Sequence, residues 1–212
     1  MAPRSKVEIS GFVERHYDRM MDLFFLGRYR RFIRNILVTM QIRPGDAILD
    51  LGSGTGRNAC LMMDALGRTG RLVGVDIGKG MLGQSRRRCR PYPQVNFVEA
   101  RIERPLGFRQ EFEMVCLFFV LHGFEDADKE GIITNAHEAL RPGGTLWILD
   151  YDQFELDKLS FPLRWAFTHL ECALAMEFLE FDLEGRLQSA GFVDLVSHSF
   201  LRGYLRLLEA HK

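Results

Sequence analysis

The sequence predicts an open α/β sheet, mostly parallel, with helices on both faces. Three observations carry this expectation. Short apolar runs alternate with amphipathic segments along most of the 212 residues, the pattern of strands joined by crossover helices. A glycine loop, Gly52-x-Gly54-x-Gly56, follows the first of these runs, where ligands of such sheets bind. The last two runs are separated only by "LRG", too short for a parallel crossover, so they must pair antiparallel.

Each element has its own warrant. Residues 8–40 mix apolar and basic side chains at helical spacing, with a break near Gly27. "RPGD" (43–46) is a turn, and "AILDL" (47–51) a short apolar strand. The helix over 57–67 stops at Gly67. A second strand over 71–77 leads to a helix over 79–90, ended by Pro91. A third strand covers 95–100. "FEMVCLFFV" (112–120) is apolar throughout, as a strand buried on both faces would be. An amphipathic helix spans 126–140, and "RPGG" turns the chain into a fifth strand over 145–152. Residues 155–180 read as helical, 182–191 as a short helix, and 192–200 and 204–212 as the closing strands. The organisation expected is an N-terminal helical lid, 1–40, on a single compact domain, 41–212.

Basic and acidic residues balance at 28 each, so no global field draws the protein to nucleic acid. The basic residues cluster locally in "GRYRRFIRN" (27–35) and "SRRRCR" (85–90). Four cysteines occur without a C-x-x-C pair, which predicts reduced, mostly packed thiols and a reducing compartment. The opening "MAPRSKVEIS" has no apolar core of a secretory leader. No apolar run reaches the roughly 18 residues of a membrane span. The expected location is cytoplasmic, with peripheral membrane contact at most.

The glycine loop carries the chemistry. Dinucleotide folds use G-x-G-x-x-G, but Arg57 stands where the third glycine belongs. No G-K-[ST] follows, which excludes a P-loop. Asp50, at the strand end, would repel a pyrophosphate and attract a cation. A second acid, Asp76, ends the second strand 20 residues past Gly56, where it can accept hydrogen bonds from both ribose hydroxyls. Around these residues, "ILDLGSGTG", "LVGVDIGKGML" and "ALRPGGTLWILDYD" resemble the motifs of class I S-adenosylmethionine-dependent methyltransferases. The resemblance covers about residues 40–152. It implies a Rossmann-like methyltransferase fold, a seven-stranded sheet with the last strand antiparallel, and S-adenosylmethionine as cofactor, released as S-adenosylhomocysteine. The cofactor contacts it implies are Asp50, Gly52, Ser53, Gly54, Gly56, Asp76, Ile77, Met81, Arg101, Ile102 and Leu117. One departure stands out. Arg101 lies where the family often has the acid that holds the adenine amino group. The backbone of Ile102, or Glu103, is the expected substitute.

The acceptor is less explicit. Strand four, "LFFVLH", lacks the D/N-P-P-Y/F sequence of nucleic-acid amino methyltransferases, so no nucleic-acid partner is expected. The pattern "YDRMMDLFFLGRYRRFIR", then the glycine loop, then "FVLHGFED", resembles the ubiquinone/menaquinone-biosynthesis methyltransferase group, which includes bacterial phospholipid N-methyltransferases. This implies methyl transfer to a small lipophilic acceptor, a phospholipid amine or a quinone precursor. The alternatives are a soluble small-molecule acceptor or a non-catalytic cofactor-binding protein. Tyr17 and His122 are the candidate acid/base groups, and no metal site is expected. Arg28, Arg30, Arg31 and Arg34 beside Met20, Met21, Leu23, Phe24, Phe25 and Leu26 form a basic apolar stretch, which suits either an anionic membrane or a lid helix packed on the core with a solvated basic face.

Overall fold

The computed structural model describes residues 11–154 and 173–212. The chain runs α1 (Gly11–Phe24), α2 (Tyr29–Thr39), β1 (Ala47–Leu51), α3 (Arg57–Leu66), β2 (Arg71–Asp76), α4 (Lys79–Arg88), β3 (Val95–Glu99) and β4 (Phe112–Phe118). A 3-10 turn over Leu121–Gly123 follows, then α5 (Asp126–Ala139) and β5 (Leu140–Tyr151). After the undescribed stretch come α6 (Ala173–Phe178), α7 (Leu183–Ser189), β6 (Val193–Phe200) and β7 (Leu205–His211).

Seven strands form one sheet in the order β3-β2-β1-β4-β5-β7-β6. The pairs from β3 through β5 are parallel, and β7 runs antiparallel to both β5 and β6. The predicted class and the antiparallel final pair are both present. Burial follows the order. Every residue of β1 is buried, while edge strand β6 is exposed or half-exposed along its length. A central strand must satisfy its neighbours on both sides and both faces, which is why β1 and β4 are apolar except for one acid each, Asp50 and Glu113.

The sheet order puts its switch point between β1 and β4, from which the chain winds outward in both directions. The carboxyl ends of these strands are therefore where a ligand crevice opens. Two loops are pressed together there. An alanine Cβ at Gly52 would lie 2.5 Å from Val120 Cγ2, beyond the end of β4. At Gly56, where φ is +70°, a Cβ would lie 2.7 Å from Ser85 Cβ on α4. Glycine at both places permits the close approach.

Two expectations need correction. The thiols of Cys60 on α3 and Cys89 at the end of α4 are joined in a disulfide, and only Cys116 among the described cysteines is free and buried. The two positions are 29 residues apart, and it is the packing of α3 on α4 at Gly56 and Ser85 that brings them together. The "RPGG" segment is not a separate turn before the fifth strand. β5 already starts at Leu140, opposite Phe112, and its register against β4 shifts before Thr145. The helical reading of 155–180 meets the structure only at Ala173–Phe178. Residues 155–172 and 1–10, with the predicted lid start at residue 8, lie outside the described residues.

Candidate active site

Asp50 is the penultimate residue of β1, beside Cys116 of β4 and Gly74 of β2. Its carboxylate is buried, and Oδ2 has no hydrogen-bond partner among the described residues. Burial, with the nearby charge of Asp76, pushes its pKa up to about 7. Ser53, in the loop, is also buried with Oγ unpartnered. Two orphaned polar atoms at one strand end are costly unless a ligand meets them. A carboxylate and a hydroxyl acceptor suit a cationic group, so the residues present fit the ammonium and sulfonium of S-adenosylmethionine.

The loop itself is held by the second acid. Asp76 Oδ2 accepts from Gly54 N at 2.8 Å, and Oδ1 from Gly78 N at 2.8 Å. Burial raises the Asp76 pKa, against these backbone bonds. A carboxylate has about four acceptor positions, so two N–H bonds leave capacity for a ribose. Met81, in the first turn of α4, is buried and packs over Gly78. Ile77 is half-buried beside them, and Gly54 faces open space.

The remaining predicted contacts divide. Ile102 is buried past β3. Arg101 is exposed, and its guanidinium is paired with Glu103. The side chain expected to substitute for the missing adenine acid thus already has a cation beside it. Leu117 is buried inside β4 against Ile148 of β5, within the hydrophobic core.

Strand four ends under strain. Phe119 has φ +58°, rare for an aromatic residue. Its ring meets Phe25 of the segment after α1 at 6.0 Å. The chain then turns so that His122 faces the end of β5. His122 Nδ1 lies 2.7 Å from Oδ1 of Asp150, whose side chain is 2% exposed. The ionised carboxylate only accepts, so Nδ1 carries the proton. Asp150 also takes the His122 backbone N–H at 3.2 Å and that of Tyr151 at 2.9 Å. The imidazole is locked in one orientation and one tautomer. Asp150 was not among the predicted site residues. Its signal was present: "WILD" ends an apolar strand in an acid just as "AILD" does.

Tyr17 is half-buried on α1, and the neighbouring Asp18 fastens that helix to the glycine loop. Thr55 Oγ1 donates to Asp18 Oδ1 at 2.8 Å, and Arg88 pairs with the same carboxylate while donating to the Thr55 carbonyl at 3.0 Å. Arg57, the residue that breaks the dinucleotide pattern, reaches Asp22 at 2.7 Å. Its guanidinium also lies 4.6 Å from the centre of the Tyr29 ring. It ties α1 to the start of α3. The structure gathers Asp50, Ser53, Asp76, Met81 and the loop glycines at the carboxyl ends of β1 and β2, with Tyr17 on α1 and His122 beyond the end of β4.

Comparison with known proteins agrees with this geometry. A methyltransferase-domain family model matches residues 48–144. The ubiquinone/menaquinone biosynthesis C-methyltransferase UbiE of Xanthomonas campestris is 33% identical over 71% of this chain, and the match spans 60% of that relative's own length. The enzyme of the same name from Vibrio parahaemolyticus is 29% identical, covering 97% of this chain and 86% of the relative. A crystal structure of an S-adenosylmethionine-dependent methyltransferase from Aquifex aeolicus superposes with a TM-score of 0.68 at 15% identity, over 95% of this chain and 99% of that one. Motifs, strand-end geometry and relatives agree: the chain carries a methyltransferase domain over residues 48–144 and is similar to the class I S-adenosylmethionine-dependent methyltransferases.

Proposed function

We propose that the protein methylates a ring carbon of a small, lipophilic phenolic acceptor, of the kind that serves as a quinone precursor. The observation that carries this reading is the His122–Asp150 pair beside the Asp50 crevice. Bound S-adenosylmethionine, held by Asp50, Ser53, the glycine loop and Asp76, would supply an electrophilic methyl group. A neutral amine needs no base to receive it. A phenol becomes strongly nucleophilic at carbon only when its hydroxyl proton is removed. His122 is suited to take that proton, and the buried Asp150 carboxylate stabilises the imidazolium that forms. The ring then carries the negative charge at carbon and would accept the methyl there as S-adenosylhomocysteine leaves with the sulfonium electron pair; the ring C–H proton passes to water, and His122 returns its proton to the phenolate oxygen. Tyr17, on α1, is the side chain suited to orient the acceptor. The names of the curated relatives, which are C-methyltransferases of quinone biosynthesis, support this choice over a phospholipid amine.

The test is transfer of labelled methyl into a fractionated cell extract. Label should enter the organic phase, and a His122→Ala enzyme should lose about a hundredfold in rate with cofactor affinity unchanged. Label confined to the aqueous phase or to the protein pellet contradicts the lipophilic acceptor. A folded His122→Ala enzyme of undiminished rate contradicts the base.

A further inference from the structure

Helix α1 is mounted with its apolar face outward. Glu14, Asp18 and Asp22 recur every four residues and share one face. That face meets the body. The Glu14 carboxylate lies where a Cβ on Gly80 would be, 1.7 Å from Oε1, and Gln84 donates to the Glu14 carbonyl at 3.0 Å. Asp18 and Asp22 hold Thr55, Arg88 and Arg57. Phe12, Val13, Met20, Leu23 and Phe24 lie on the opposite side, about 180° away at roughly 100° per residue. No residue of α1 is buried, and Leu23 and Phe24 are 77% and 56% exposed. Burial normally turns the apolar face of a helix inward, as α2 does with Ile33, Ile36 and Leu37. An apolar face held outward by an acidic stripe needs another occupant.

The charges around the face say which. Arg15 and Arg19 border it on α1, and Arg28, Arg30, Arg31 and Arg34 are exposed on the adjoining turn and on α2. The turn between the helices carries Leu26 at φ +51° and 79% exposed. A second tip beside it repeats the device. Phe200 meets Phe32 of α2 at 5.8 Å, and the next residues, Leu201 and Arg202, are exposed at φ +49° and +61°. Backbone in this region is unfavourable for leucine and arginine, yet both tips hold a leucine out to solvent beside an arginine. The acids of α1 face the body and are spent on the latch.

We propose that the outward face of α1, with the 26–28 and 201–202 tips, is a docking surface for an anionic lipid bilayer. Apolar side chains between flanking arginines match the interface of such a membrane in both hydrophobicity and charge. The biological use of this surface rests on the lipophilic-acceptor reading above. Its geometry does not, and the two fail separately. Because the opposite face of the same helix is latched to the glycine loop, docking holds the crevice against the membrane surface.

The experiment is co-sedimentation of the full chain at low salt with vesicles of pure phosphatidylcholine and of equimolar phosphatidylcholine and phosphatidylglycerol. Binding is expected to the anionic vesicles, weakened about tenfold or more in high salt. The double variant Leu23→Ser/Phe24→Ser should bind at least about tenfold more weakly, since two large apolar side chains no longer leave water. Its calorimetric affinity for S-adenosylmethionine should be unchanged, which reports an intact fold. Arg30→Glu/Arg31→Glu should lose anionic selectivity. Absence of binding to the anionic vesicles at low salt, or full binding by the double variant, overturns the proposal. So does a solution dimer that the double variant abolishes, which would give the face to a second copy. Vesicle binding with label only in the aqueous phase would keep the surface and discard the lipophilic acceptor. Organic-phase label without vesicle binding would do the reverse.

Discussion

Asp50 sits where a carboxylate is expensive. It is buried among strands, beside Cys116, with one oxygen unpartnered. Burial lifts its pKa from an ordinary 3.8 to about 7, so without a cation the folded chain keeps a proton that the unfolded chain has lost. The sign follows from linkage. The stabilisation is complete below the ordinary carboxylate value and is lost as pH rises through about 7. Without cofactor, thermal stability is therefore expected to fall between about pH 4 and 7 and to level off above, and Asp50→Asn should flatten that fall and raise Tm at pH 8 by a few degrees. Scanning calorimetry of the two proteins across this range checks both points. A cation in the crevice reverses the balance, because it favours the ionised form. Affinity for S-adenosylmethionine should rise with pH up to about 7 and level off above it. Asp76 has a double duty, since it pins Gly54 and Gly78 while offering its remaining lone pairs to a ribose. Asp76→Ala should weaken the cofactor by more than about tenfold, as charged hydrogen bonds are each worth more than 1 kcal/mol. Unchanged affinity in a folded variant would remove it from the site.

At the scale of elements, the lid and the α3–α4 pair decide how the crevice behaves. α1 buries no side chain and is held by polar contacts through Asp18, Asp22 and Glu14. Such a helix belongs to the low-stability end of the molecule. Asp18→Ala should speed amide exchange over residues 11–24 and leave β1 protected, as read by hydrogen-exchange mass spectrometry. Equal exchange in both proteins would show that the latch does not hold the lid. The Cys60–Cys89 bond closes a loop of 29 residues between the helices that follow the two cofactor loops. Chain-entropy reasoning gives it about 3 to 4 kcal/mol, so a dithiol reductant should lower the melting temperature of the wild type and leave a Cys60→Ser/Cys89→Ser protein unaffected. The sequence could not announce either feature. Amphipathicity shows that a helix has two faces but not which one turns inward, and α1 takes the less common choice. Cysteine spacing detects local pairs, whereas this pair depends on a glycine-enabled helix contact.

Across the whole molecule, what could be read early is what is encoded locally. The alternation of strands and helices, the glycine loop, and the acids that end β1 and β2 are each contained in a dozen residues, and the sheet places them as expected. What had to wait is what joins distant segments. Asp150 reaches His122 across 28 residues, and Arg57 makes sense only once α1 lies against the loop. Arg101 was a departure in the sequence and is a partner of Glu103 in the fold. Among the described residues, no helix is long and apolar enough to cross a membrane. Everything in this site turns on the buried Asp50 of β1 receiving a cationic cofactor. Calorimetric titration with S-adenosylmethionine at pH 7.5 tests it most directly. One site per chain is predicted, with affinity at least about tenfold weaker in Asp50→Asn, since a charge-assisted contact is lost. No binding by the folded wild type, or equal affinity in the two proteins, would contradict it.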